Sequence, residues 1–198
     1  MKKILGLLVF ISGLAMGQEL DSVVIDTVKK VPNYFGGVYL ETGANLTPHP
    51  PGINLVSFIG GGIQYNRWSI GFRAYDFQGT IERFLIFPNI FELEYRYGGV
   101  LTSFDAVQSK WINASVTTSF YKGDMVWREI LRREDFLRGK FNLWTLGAKV
   151  EMVRLRFLRP YINAGYQQMT GLELSGVEND EFSGFFYGVG LRIGFFNQ

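Results

Sequence analysis

At 198 residues the chain has the length of one domain, and a formal net charge of +2 gives no electrostatic basis for a nucleic-acid partner. The absence of cysteine excludes a disulfide framework, a thiolate nucleophile, a Cys-based metal site and a lipoprotein anchor, which needs a Cys immediately after cleavage. The 24 glycines, beside an aromatic share of 16%, point to strands whose backbones approach closely.

The first residues have the make-up of a processing signal. Lys2 and Lys3 supply a positive region, Ile4 to Leu14 an apolar run, and Ala15-Met16-Gly17 small residues at both ends of a cleavage triplet. A signal peptide over 1–17 is expected, leaving Gln18 first. The apolar run falls short of the roughly 20 residues of a spanning helix, and no other stretch is longer. The mature chain is therefore either soluble after export or crosses a membrane as strands. Residues 18–33 read as a flexible lead-in, polar and weakly patterned from Gln18 to Val31, and 34–198 as one domain.

From Tyr34 the apolar period is two, the period of a strand. In chain order the expected strands set Val38 and Leu40 against Tyr39 and Glu41, and Ile59, Ile63 and Tyr65 against Gly60, Gly62 and Gln64. Trp68, Ile70, Phe72 and Ala74 then oppose Ser69, Gly71 and Arg73. Phe91, Leu93, Tyr95 and Tyr97 oppose Glu92, Glu94, Arg96 and Gly98. Ile112, Ala114, Val116, Thr118 and Phe120 oppose Asn113, Ser115, Thr117 and Ser119. Trp144, Leu146, Ala148, Val150 and Met152 oppose Thr145, Gly147, Lys149 and Glu151. Ile162, Ala164 and Tyr166 oppose Asn163, Gly165 and Gln167. Finally Phe185, Tyr187, Val189, Leu191, Ile193 and Phe195 oppose Gly184, Phe186, Gly188, Gly190, Arg192 and Gly194. Eight strands, an even number, suit a closed bacterial barrel.

Connections alternate in length. Short ones are expected at Asn66-Arg67, at Phe104 to Ser109 and at Arg156 to Arg159, where Pro160 opens the next strand. Long ones are expected at Asn45 to Ile53, Phe77 to Ile90, Lys122 to Gly139 and Thr170 to Ser183. This is the pattern of periplasmic turns and outer loops. The Arg- and Glu-rich stretch Asp124 to Arg138 could form a short helix in the third loop.

A water-facing surface is normally rich in Lys and Glu. Here the polar face is mostly Gly, Ser, Thr and Asn, so it is assigned to a narrow interior and the apolar face to lipid. Eight charged residues on the polar face are expected to pair inside: Glu41, Arg73, Glu92, Glu94, Arg96, Lys149, Glu151 and Arg192. Strands one and eight would set Glu41 against Arg192, and strands three and four Arg73 against Glu92 or Glu94. Tyr65, Trp68, Trp111, Trp144 and Tyr161 lie near strand ends, as interfacial girdle residues do.

The chain resembles the small outer-membrane barrels of the OmpA-transmembrane-domain and OmpX type, and more closely the short barrel proteins of Bacteroidetes. The sharper matching pieces are Arg159-Pro-Tyr-Ile-Asn-Ala-Gly-Tyr166 and the closing Gly188-Val-Gly-Leu-Arg-Ile-Gly-Phe-Phe196, while Asn197 and Gln198 depart from the family's terminal aromatic. The resemblance implies an eight-stranded antiparallel up-and-down transmembrane β-barrel in the outer membrane, inserted by the barrel-assembly machinery. It implies no particular activity, because the family is functionally mixed.

No catalytic, cofactor-binding or metal-binding residue is assigned. The one histidine, His49, sits in Thr47-Pro-His-Pro-Pro51, and Asp76 is an imaginable partner. Flanking prolines and the lack of an adjacent Ser favour a rigid loop with an incidental His. Glu92 and Glu94 share a strand face, yet their basic neighbours argue for ion pairing. Arg128, Arg132, Arg133 and Arg138 could contact lipopolysaccharide phosphates, although Glu129, Glu134 and Asp135 offset part of that charge. The leading expectation is a non-enzymatic barrel with a structural or surface-binding role through four outer loops. A narrow channel, a lipid A-modifying enzyme and an accessory of a secretion or assembly machine are the alternatives.

Overall fold

The computed structural model describes residues 37–49, 52–81, 91–129, 134–153, 157–172 and 179–196. The expected signal peptide and lead-in lie outside these residues. The strands are β1 (Val38–His49), β2 (Gly52–Tyr65), β3 (Trp68–Ile81), β4 (Phe91–Gln108), β5 (Ile112–Glu129), β6 (Glu134–Met152), β7 (Leu158–Thr170) and β8 (Gly184–Gly194). Each pairs antiparallel with its neighbours in chain order, and β1 pairs with β8 to close the sheet. Closure leaves no lateral edge where all eight strands run together.

The turn between β2 and β3 is the two residues Asn66-Arg67. Asn66 has φ 52°, a left-handed conformation that asparagine tolerates better than most residues. The Arg67 carbonyl accepts a hydrogen bond from the Asp105 amide at 2.7 Å. This contact ties the turn to the end of β4, which bulges between Asp105 and Val107.

Several expected loops are strand instead. Asn45 to His49 completes β1 and pairs with β2 as far as Gly52. Most of Lys122 to Gly139 continues β5 and β6, paired from Lys122–Asn142 up to Glu129–Glu134. Described residues of the expected helix, 124–129 and 134–138, are therefore strand residues, and 130–133 lie outside the description. A strand crosses a bilayer in about 9–11 residues. With 18, 18 and 19 residues, β4, β5 and β6 extend well past that span. The excess is about 25 Å of strand at roughly 3.4 Å per residue.

Strands β3 to β6 exchange the polarity of their two faces part-way along. Toward the short-turn end, apolar side chains point out: Ile70 and Phe72, Val100, Ile112 and Val116, and Leu146 and Val150 are all exposed. Inward at those levels stand Ser69, Arg73, Ser103, Asn113, Ser115 and Lys149. Beyond Ala74, Gly98, Phe120 and Trp144 the arrangement reverses. Tyr75, Phe77, Leu93, Tyr95, Tyr97, Tyr121, Met125, Trp127, Phe141 and Leu143 now form a buried core, while Asp76, Arg96, Lys122, Asp124, Arg138 and Lys140 point outward. Register places the four reversals side by side, since Ala74 pairs with Gly98, Gly99 with Tyr121 and Phe120 with Trp144.

On β4 this corrects the expected faces. Leu93, Tyr95 and Tyr97 are interior, and Glu94 and Arg96 are not. Strand alternation distinguishes two faces without saying which is inside, and here the aromatic face fills the upper barrel.

Candidate functional site

The lower interior is organised around Glu41, delivered by β1 and buried to 2% exposure. Arg73 of β3 grips it with two hydrogen bonds, Nε to Oε1 at 2.6 Å and Nη2 to Oε2 at 3.1 Å. Arg192 of β8, directly opposite Glu41 in the closing ladder, donates from Nη2 to Oε2 at 3.4 Å. Its Nη1 lies 3.6 Å from Glu151 of β6, which also pairs with Lys149 at 3.5 Å. One guanidinium thus joins two carboxylates that would otherwise be buried apart, a costly arrangement without compensation.

Aromatic rings complete the packing. The Arg192 guanidinium sits 3.8 Å from the Tyr39 ring and Arg73 sits 4.6 Å from Phe58, so each cation has a π face as well as a carboxylate. The Tyr161 hydroxyl lies between Arg73 at 3.1 Å and Glu41 at 3.3 Å. Gly190 leaves room for this ring: a Cβ there would come within 2.4 Å of Tyr161, so the ring would have to shift. Nearer the short turns, Asp105 accepts hydrogen bonds from Ser115 at 2.7 Å, Gln64 at 3.1 Å and Gln108 at 3.2 Å.

Arg73 links this network to the core above it by a 3.4 Å hydrogen bond to the Tyr75 hydroxyl, which meets that of Tyr121 at 3.5 Å. Tyr75 and Tyr97 stack at 4.4 Å between centroids, and Phe77 and Tyr95 at 4.7 Å. In this upper part, burial pushes the Tyr95 phenol above its ordinary value, against a smaller opposing effect of a hydrogen bond with Thr47. A 3-10 turn, Asn179–Phe182, lies over the core: Phe182 is buried, and its carbonyl accepts a 2.8 Å bond from Gln167. Between network and core is a cavity of about 20 Å³ lined by Asn45, Arg73, Thr117, Lys149, Asn163 and Gln167 among others. That is room for about one water, and a solute path would need far more.

Of the eight residues assigned to interior pairing, Glu41, Arg73, Lys149, Glu151 and Arg192 meet in this network. Arg73 pairs with Glu41 rather than with Glu92 or Glu94. Arg96 is on the outer surface, bonded to Asp76 at 3.0 Å and to Glu94 at 2.8 Å. Glu94 is outward-facing and also lies 3.6 Å from Arg128. The Glu92 side chain lies outside the description, though its backbone pairs with Thr80 and Arg128. Arg132 and Arg133 are likewise outside it, and Arg138 is exposed on β6.

Tyr161, expected in a girdle, is interior, while Tyr65, Trp68, Trp111 and Trp144 are exposed. His49 ends β1 opposite Gly52, and Asp76 faces outward, held by Arg96. Sequence reasoning missed Arg159, a buried cation 3.6 Å from the Phe196 ring, because it was placed in a turn. It also missed Asp105, for the same reason.

A closed ring of eight antiparallel strands with a filled interior decides the class of architecture. The chain has the fold of the small outer-membrane barrels. Neisserial surface protein A superposes with a TM-score of 0.56 at 11% identity, over 80% of this chain and 96% of that one. The N-terminal β-barrel domain of Pseudomonas aeruginosa OprF gives 0.52 at 11% identity, over 82% and 99%. A major outer membrane protein from Thermus thermophilus gives 0.53 at 8% identity, over 81% and 99%. No family model matches the sequence, and no curated protein matches it by sequence.

Proposed function

We propose that the chain is a non-enzymatic integral outer-membrane protein whose barrel acts as a membrane anchor for a stiff surface sheet. The observation that carries this reading is the reversal of polarity at one level on β3 to β6. A belt of Leu40, Ile59, Phe72, Val100, Val116, Leu146, Ile162 and Val189 facing water would be an aggregation surface; facing lipid, it is what a bilayer requires. Above the reversal the same strands have the exterior of a water-soluble sheet. Tyr65, Trp68 and Trp111 toward one edge of the belt and Trp144, Tyr166 and Phe185 toward the other supply interfacial aromatics. With the short turns in the periplasm, the projecting sheet stands outside the cell and offers a binding surface.

The filled interior supports an anchor over a pore, since Arg192, Tyr39, Lys149 and Glu151 close the bore. The reading is tested by fractionation together with gel mobility of unboiled and boiled protein. Outer-membrane recovery and a boiling-dependent shift are expected, with no steady conductance in planar bilayers. Soluble protein without a shift would overturn the membrane assignment. A stable open conductance would overturn the anchor in favour of a channel.

A further inference from the structure

Among the described residues, the outward cations above the polarity reversal fall into two groups. Arg96 and Arg128 are committed to carboxylates, Arg96 to Asp76 and Glu94 and Arg128 to Glu94. Lys122, Arg138 and Lys140 are exposed, and none of them forms an ion pair with a described residue. All three stand on the outer face of the β5–β6 hairpin. Lys122 is in register with Asn142, two residues from Lys140, and Arg138 is two residues further along β6. Such diagonal and same-strand neighbours are about 7–8 Å apart, within reach of one phosphate-bearing group.

Their height is set by the belt. Lys122 is the next outward residue after Phe120, with its ammonium 5.9 Å from that ring, and Phe120 packs on Trp144 at 4.4 Å. Trp144 is the last lipid-facing aromatic of β6 before Asn142, Lys140 and Arg138. Asp124, in register with Lys140, is the one described carboxylate among them, so the patch keeps an excess of positive charge. Cations one step above an aromatic girdle lie where lipid phosphates lie.

We propose that Lys122, Arg138 and Lys140 form a docking patch for the phosphates of an anionic membrane lipid in the outer leaflet. The proposal rests on the membrane reading above. Arg138 supplies a planar fork suited to phosphate oxygens, and the two lysines supply mobile point charges beside it. The patch shares Arg138 with the arginines singled out in the sequence, whereas Arg128 has a carboxylate partner and the hairpin face contributes two lysines.

The test uses the full chain folded in detergent, offered lipid A or the same lipid stripped of phosphate, with bound lipid counted by native mass spectrometry. The parent is expected to prefer the phosphorylated lipid on the order of tenfold, with the preference falling as salt rises. The triple variant Lys122→Gln, Arg138→Gln, Lys140→Gln is expected to lose that preference while keeping its boiling-dependent shift. Arg96→Gln, which removes a cation already paired, is expected to keep it. Equal preference in parent and triple variant overturns the patch. Release of the lipid by millimolar inorganic phosphate overturns the lipid as the source of the ligand. Absence of the boiling-dependent shift in the parent removes the membrane reading and this proposal together, whereas a shift without phosphate preference removes the patch alone.

Discussion

The lower barrel and the sheet above it use the same strands with opposite polarity. Below the reversal, charges are enclosed and apolar side chains face out; above it, tyrosines and phenylalanines are enclosed and charges face out. Hydrogen bonding along the ladder is indifferent to the change, because β4 and β5 pair continuously through it from Phe91–Glu129 to Asp105–Ser115. On the membrane reading proposed above, backbone pairing holds the strands together across two solvents, and side chains decide which solvent each level meets. The ion pairs differ correspondingly. Glu41 is sealed among two guanidiniums and a phenol, whereas Asp76 and Arg96 meet in the open.

The largest expected effect separates those two kinds of pair. Glu41→Ala leaves Arg73 and Arg192 enclosed without their shared carboxylate and is expected to cost about 3–5 kcal/mol in urea unfolding of the folded barrel. Asp76→Ala should leave the urea midpoint unchanged within error. Equal effects of the two would mean that the lower interior is wetter than its packing indicates. Next is Tyr97→Ala, which removes a ring stacked on Tyr75 and edge-on to Tyr121. A loss of about 3–5 kcal/mol is expected, as for other large aromatic truncations, with the boiling-dependent shift retained because the belt is untouched.

The belt can be mapped by charge. Ile162→Arg, in the middle of the outward row of β7, is expected to cost about 2–4 kcal/mol in a bilayer, whereas Gln168→Arg, beyond Tyr166, should cost little. Comparable costs at both positions would misplace the upper membrane surface. The smallest of the four is Gly190→Ala. The added methyl displaces the Tyr161 ring, at an expected cost of about 1–3 kcal/mol by equilibrium unfolding.

Eight strands and their order were legible because a period of two persists through every segment, clearest in Phe185 to Phe195. The lower network was largely legible too, since Glu41, Arg73, Lys149, Glu151 and Arg192 each interrupt a Gly- and Ser-rich face. Strand length was not. The richness of Asp124 to Arg138 in Arg and Glu suggests a short helix in a loop, yet Met125 and Trp127 alternate inward as strand residues do. The reversal itself left a trace: two apolar residues stand side by side at Ala74-Tyr75, Val100-Leu101, Phe120-Tyr121 and Leu143-Trp144. Each doublet shifts the apolar phase by one residue, so the apolar side chains pass from the outer face of the strand to the inner one. Without the register that sets the doublets side by side, they look like scatter.

Arg192 lies 151 positions from Glu41, and it is delivered by the last strand of the ring. A chain still emerging from synthesis holds Glu41, Arg73, Lys149 and Glu151 before it holds the residue that ties them together. Contacts over so long a separation form late, because the entropy of closing the intervening chain must be overcome before they reward it. Until β8 arrives, the sheet keeps two open edges and Tyr39 lacks the guanidinium over its ring. The buried network is therefore complete only once β8 has closed the ring.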